Sequence, residues 1–125
     1  MQVPFEVHYP GDILAPTDLE QLSAEQKEKI AWTLGNYDVE ALDQRIAIAV
    51  QRAKKLGLPL YCGEFGCIYP NVPTEARENW FHDIVSVFEK HDIPYTVWDY
   101  KGSFKVFEPD YQPTNENILK ALTGK

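Results

Sequence analysis

Apolar and polar positions follow two rhythms along this chain. Val3, Phe5 and Val7 are apolar with other residues between them, the period of two expected of a strand that ends at His8. Tyr9-Pro10-Gly11-Asp12 then reads as a turn, and a long connection over residues 13–37 holds one short polar helical piece, 23–30, with Ser23 as N-cap. From residue 39 to 56 the rhythm changes. Val39, Leu42, Ile46, Ala49, Val50, Ala53 and Leu56 keep the 3, 4 spacing of one helical face. Asp38 is placed to cap that helix, Gly57 to end it in the left-handed conformation, and Lys54 and Lys55 sit in the last turn, where the helix dipole favours cations.

The alternation repeats. Residues 58–62 predict a second strand, running into Gly63-Glu64-Phe65-Gly66. Thr74 can cap a second long helix to about His91, with Ala76, Trp80, Ile84, Val87 and Phe88 as its buried stripe. Residues 93–98 predict a third strand, the loop 99–113 follows, and a last helix over 114–122 is closed by Gly124. Pro4, Pro59 and Pro94 each fall in the first or second position of a strand, where a missing N–H is best tolerated. Strand, loop and helix in that order, three times over, imply a parallel sheet covered by helices, in an α/β fold. An open three-stranded sheet and part of a barrel both fit this pattern. Residues 1–125 are one domain by length, about half the size of a closed (β/α)8 barrel.

Composition narrows the function classes. Acidic residues outnumber basic ones for a net charge of −7, which argues against nucleic acid or an anionic membrane surface as partner, since both require a basic footprint. No apolar run approaches the roughly 18 residues that cross a bilayer. Met1-Gln2-Val3-Pro4-Phe5 has no basic region followed by an apolar stretch, so no signal peptide is expected, and the compartment stays open. Cys62 and Cys67 are too far apart for a CxxC motif and lack partners for a zinc site, so they read as free thiols, with no metal or cofactor expected. Aromatic residues are plentiful, useful both in a core and as platforms for sugars.

Residues two apart share a face of a strand, which pairs Glu6 with His8, Cys62 with Glu64 and Thr96 with Trp98. If the odd-numbered apolar set packs on the helices, then His8, Glu64 and Trp98 each end a strand on the same rim. In parallel α/β proteins that C-terminal rim is where active sites are built. Each residue also has a plainer reading. Glu64 between glycines fits a solvated turn, His8 a loop hydrogen bond, Trp98 a core position and Cys62 a small apolar filler.

Together these segments resemble a known family. Leu60-Tyr61-Cys62-Gly63-Glu64-Phe65-Gly66 is similar to the seventh-strand motif of glycoside hydrolase family 5, the cellulase-type (β/α)8 barrels. The segment from Val97 through Trp98-Asp99-Tyr100-Lys101-Gly102 to Phe104 resembles the eighth strand, and Val7-His8-Tyr9 the sixth. The resemblance implies three consecutive units of a TIM barrel, a C-terminal portion equivalent to strands 6–8. It implies Glu64 as catalytic nucleophile and His8, Tyr9, Trp98 and Lys101 as substrate-binding residues. Two departures stand out. Tyr9 follows His8 directly instead of one position later, and the Asn-Glu pair ending the family's fourth strand, which holds the acid/base, has no counterpart. Asn115-Glu116 opens the last helix instead and suits its N-terminus.

A retaining β-glycosidase acting on β-1,4-glucan, of endoglucanase type, is therefore the first expectation, with the chain alone weak or inactive. The alternative is an inactive fragment that binds carbohydrate or self-assembles. A stand-alone α/β binding domain, in which Glu64 is replaceable without loss, ranks last. Two exposed strand edges and an uncovered inward face require a partner, either a second copy or the other half of a barrel. Light scattering at micromolar concentration should accordingly detect self-association, and a monodisperse monomer would count against it.

Overall fold

The computed structural model describes residues 6–69 and 72–124. Strand β1 (Gly11–Asp12) pairs antiparallel with β2 (Asn36–Tyr37), and between them lie α1 (Pro16–Gln21), α2 (Ala24–Ile30) and a 3₁₀ turn (Ala31–Thr33). Then come α3 (Val39–Leu56), β3 (Cys62–Phe65), α4 (Thr74–Lys90), β4 (Tyr95–Val97) and α5 (Glu116–Thr123). β3 and β4 are parallel neighbours joined through α4, a βαβ unit.

The helices begin and end where local chemistry dictates. Asp38 accepts from the Ala41 N–H at 2.8 Å, and Gly57 closes α3 at φ 65°, in the region where only glycine carries no Cβ penalty. Ser23 and Gln26 form a reciprocal capping box on α2. Asn115 caps α5 by accepting from the Asn117 and Ile118 N–H groups, so this asparagine does serve the helix N-terminus. Thr74 is the first residue of α4 rather than its cap; Pro73 takes the cap position without a side-chain bond.

The core lies between α4 and the two parallel strands. Phe81 and Ile118 are fully buried, and Phe65 meets Trp80, Phe81, Phe88 and Tyr95 at ring-centroid distances of 6.1, 6.0, 5.1 and 5.2 Å. The contacts with Phe81, Phe88 and Tyr95 are edge-on, and pairs of this kind contribute about 0.5–1.5 kcal/mol each beyond area burial. The expected stripe of α4 holds at Ala76, Ile84, Val87 and Phe88, while Trp80 is only partly buried, and Arg77, Phe81 and Val85 belong to the buried face as well. On α3 only Val50 is buried; Val39, Ala49 and Leu56 of the expected face are exposed, and Ile48 is 70% exposed.

Three strand expectations are corrected. Val3, Pro4 and Phe5 lie outside the described residues, and Glu6, Val7 and His8 are not in a strand: the His8 N–H donates to the Ile13 carbonyl at 3.0 Å and closes a turn. The second strand is later than residues 58–62, because pairing begins only where the Cys62 N–H reaches the Pro94 carbonyl at 2.9 Å. Finally, Cys62 pairs with Tyr95 and Phe65 with Val97, so β3 carries one extra residue, a bulge. The bulge breaks the strict alternation. Cys62 and Phe65 both pack on the core, and Cys62 does not share a face with Glu64, which is exposed.

The two long helices are joined by ions. Asp43 of α3 lies 2.6 Å from Lys90 and 2.7 Å from His91, at the end of α4. Hydrogen bonds from Lys90 and then His91 hold the Asp43 carboxyl below its ordinary value of 3.8. A carboxyl whose folded pKa is depressed adds stability above its unfolded pKa and loses it as pH falls through the folded one. Asp43→Asn should therefore lower the thermal midpoint at pH 7, with the difference from the parent shrinking below about pH 4. Thermal melts of both proteins from pH 7 to pH 2.5 check this; a difference independent of pH would be the contrary result.

Candidate active site

The bulge and the close pairing of β3 with β4 set up the rim. The Trp98 N–H donates to the Phe65 carbonyl at 2.7 Å, which ties the residue after Glu64 to Trp98 itself. Phe65 points into the core, so its neighbour Glu64 stands on the opposite, open face of the pair. Thr96 and Trp98 are exposed while Tyr95 and Val97 pack on the core, so the two strands present one shared open face. Trp98 is 50% exposed there, and the hydroxyls of Tyr61 and Thr96 are hydrogen-bonded to each other.

Gly66 is explained by space. The Trp98–Asp99 peptide is cis, and a Cβ built on Gly66 would collide with the Trp98 carbonyl oxygen. Gly63 is different: only the Tyr61 ring, at 3.6 Å, is near its hypothetical Cβ. Neither glycine has a positive φ, and a close backbone approach, to the Trp98 carbonyl, occurs at Gly66 and not at Gly63. Asp99 then caps its own turn by accepting from the Gly102 N–H at 2.8 Å, and a Cβ on Gly102 would strike that carboxylate.

Beneath the loops that leave β3 and β4 lies Arg77 of α4, only 3% exposed. Its Nε donates to the Cys67 carbonyl at 3.2 Å, and its Nη2 to the carbonyls of Phe104 and Lys105 at 3.1 and 2.7 Å. Nη1 reaches the Thr114 hydroxyl at 3.5 Å, and the rings of Phe81 and Tyr69 lie 5.1 and 5.3 Å from the guanidinium carbon. Burial pulls the Arg77 pKa down and pushes the nearby Cys67 thiol up. Both cysteines are free.

Of the residues expected on the rim, Glu64 lies in β3 and Trp98 directly follows the paired strand β4, both exposed. His8 is exposed in its turn, so the expected convergence of three strand ends is one of two. Tyr9 is engaged by the helix layer: its hydroxyl donates to Asp83 of α4 at 2.7 Å, and burial followed by that carboxylate raises its pKa well above the usual phenol value. Lys101 is held inside its own loop, donating to the Pro109 carbonyl at 3.1 Å with its ammonium 3.3 Å from the Tyr111 ring centroid. Among the described residues no cluster of three or more metal-ligating side chains occurs, and no helix is long and apolar enough to cross a membrane.

Two features escaped the reading of the sequence. Arg77 had a visible signal, since positions 77, 81, 84, 85 and 88 share helical spacing and an arginine in an apolar stripe needs buried partners. The Tyr61–Thr96 pair was implied only once the register of the two strands was known.

Comparison with known proteins gives the family. Residues 14–103 match the family model of cellulase, glycosyl hydrolase family 5, and the chain belongs to that family. Endoglucanase C of Acetivibrio thermocellus is 33% identical over 87 residues, 69% of this chain and 25% of that protein; Endoglucanase C307 of Clostridium sp. strain F1 matches equally. The chain thus spans about a quarter of the length of the curated relatives it matches. Among solved structures, a hyperthermophilic endo-β-1,4-glucanase in complex with substrate aligns with a TM-score of 0.64 at 22% identity, covering 70% of this chain and 28% of that one. Thermotoga maritima Cel5A in complex with mannotriose aligns with a TM-score of 0.62 at 27% identity, covering 68% and 27%. The architecture is a mixed α/β segment of a TIM-barrel family.

The glycines give a paired test of the rim. Gly66→Ala should cost about 1–3 kcal/mol, because the added methyl group forces β3 and β4 apart. Gly63→Ala should stay within about 0.5 kcal/mol of the parent. Urea denaturation of the two variants checks the contrast, and equal effects would contradict it.

Proposed function

We propose that this chain carries the nucleophile, but not the acid/base, of a retaining β-glycosidase that cleaves β-1,4-linked glucan. In this reading residues 1–125 are one domain, the C-terminal portion of a barrel equivalent to its strands 6–8. The single observation that carries it is the exposed Glu64 carboxylate on the open face of β3, beside the half-exposed Trp98 at the end of the paired strand β4. Membership of glycosyl hydrolase family 5 and the endoglucanases among the relatives support the substrate class.

The mechanism follows from the residues. Glu64, ionised, attacks the anomeric carbon of a glucosyl unit seated on Trp98, and the glycosidic oxygen departs as an ester bond forms to Glu64. Departure of a sugar alkoxide requires a proton from a second carboxyl about 5–5.5 Å away. Asp99 is unsuited to that task because it caps its own turn. In this reading His8, exposed in its turn, is a further sugar contact. Tyr9 and Lys101 touch sugar only by exchanging their present bonds to Asp83 and Pro109. The second reading, carbohydrate binding or self-assembly without bond cleavage, is favoured by the missing acid/base carboxyl, since Asn115-Glu116 opens α5 and Asn115 caps it.

An activated leaving group separates the two readings, since dinitrophenolate departs without protonation. Incubating the chain with 2,4-dinitrophenyl 2-deoxy-2-fluoro-β-cellobioside should add one fluorocellobiosyl group to the peptide that contains Glu64. Glu64→Gln should slow release of dinitrophenolate by about three orders of magnitude or more. Sugar binding by the folded chain with no adduct would leave the binding reading in its place.

A further inference from the structure

We propose that Arg77 is a positioning residue: it sets the placement of Glu64 and Trp98 by tying the loops that leave β3 and β4 to one guanidinium. The inference rests on the reading of Glu64 and Trp98 as the sugar site, and it adds a residue that touches no substrate.

The local setting of Arg77 opposes a cation. It is the fourth residue of α4, near the positive end of the helix dipole, and it lies in the apolar stripe that continues through Phe81, Ile84 and Phe88. Among the described residues, no carboxylate is one of its hydrogen-bonding partners. A buried charge costs several kcal/mol unless its surroundings compensate it. Here compensation comes from three main-chain carbonyls, one hydroxyl and two ring faces.

The identity of those carbonyls carries the argument. Cys67 follows Glu64 by three positions, and Phe104 and Lys105 follow Trp98 by six and seven. One planar fork therefore fixes the outgoing backbone of both rim strands at once, and only a guanidinium spreads donors in enough directions to do so. The same two loops meet directly where the Tyr69 N–H donates to the Ser103 carbonyl at 2.8 Å, and the Tyr69 ring lies between the charges of Arg77 and Lys105. A lysine carries its donors on a single nitrogen and cannot span the set. A cavity of about 300 Å³, lined by Tyr69, Val72, Thr74, Thr114 and Ile118, opens onto the guanidinium and offers a route for a small cation to reach its place.

That cavity allows a test by rescue. In the full 125-residue chain, hydrogen exchange would be followed at the amides of Tyr69, Val106 and Phe107, which donate to Ser103, Asp99 and Tyr100. Arg77→Ala should lower their protection at least tenfold while the amides in the middle of α3 stay unchanged. Guanidinium at millimolar concentration should restore at least half of the loss, and ammonium should not. Cellobiose affinity should fall at least fivefold and recover with guanidinium. Glu78→Ala is the structural control: it removes the bonds to Asn115, the cap of α5 at the far end of the β4 loop, and to Asn117 of α5, but none to the Cys67, Phe104 or Lys105 carbonyls, and it should leave the rim amides and the affinity unchanged.

Unchanged rim amides in Arg77→Ala overturn the proposal, as does a loss that guanidinium fails to restore and that Glu78→Ala reproduces. Should Arg77→Ala not fold, Arg77→Lys is read in the same way, with partial loss expected and full protection overturning the proposal. If the parent chain, or Trp98→Ala alike with it, gives no distinct cellobiose affinity, the sugar reading fails by itself, and the exchange data still decide the role of Arg77.

Discussion

The Phe65 carbonyl accepts the Trp98 N–H at 2.7 Å, while the Phe65 ring sits among Trp80, Phe81, Phe88 and Tyr95. These two engagements of a single residue couple the core to the rim. The ring anchors β3 on α4 through buried apolar area, and the carbonyl sets how far β4 stands from β3. Glu64, one position earlier, inherits its orientation from this anchor. The bulge in β3 is part of the same arrangement, because it lets Cys62 and Phe65 both face the helix layer and turns Glu64 outward. Gly66 completes it, since any larger residue would meet the Trp98 carbonyl.

Beyond the strands, polar bonds take over from packing. Among the described residues of the loops that leave β3 and β4, Val106 is the buried apolar one, and they are tied together by the Arg77 fork, the Tyr69–Ser103 bond and the hydrogen bonds of Val106 and Phe107 to Asp99 and Tyr100. Function placed on loops needs a rigid scaffold below it. In this acidic chain the scaffold includes a buried cation whose partners are neutral dipoles, so its strength rests on geometry rather than on net charge. The glycosidase reading and the role of Arg77 therefore meet at one place, the exit of β3 and β4.

The surfaces that lack cover belong to the same picture. Tyr61 and Trp98 are exposed on the open face of the parallel pair, and Ile48 and Leu56 on α3. In a closed (β/α)8 barrel, inward side chains are layered against those of other strands and each helix has neighbours on both sides. The expectation of self-association or of pairing with other barrel strands arises from these faces.

What could be read directly from the chain was whatever is decided within a few residues. The α3 boundaries, 39 and 56, follow from Asp38 and Gly57, and the end of α5 from Gly124, because caps act on backbone groups one turn away, while α5 starts at Glu116 behind its Asn115 cap instead of at 114. Gly-Glu-Phe-Gly and Trp98 marked the rim, and through resemblance the family, since strand ends and turn glycines are local features. The tertiary structure alone decided the rest. The bulge depends on which residue of β4 each residue of β3 meets. Tyr9 finds Asp83, 74 positions away, instead of a strand end. Arg77 is compensated by carbonyls from two loops, 10 and 27–28 positions distant. Pairing across such separations is set by the packing of whole elements, and no local preference of the residues involved encodes it.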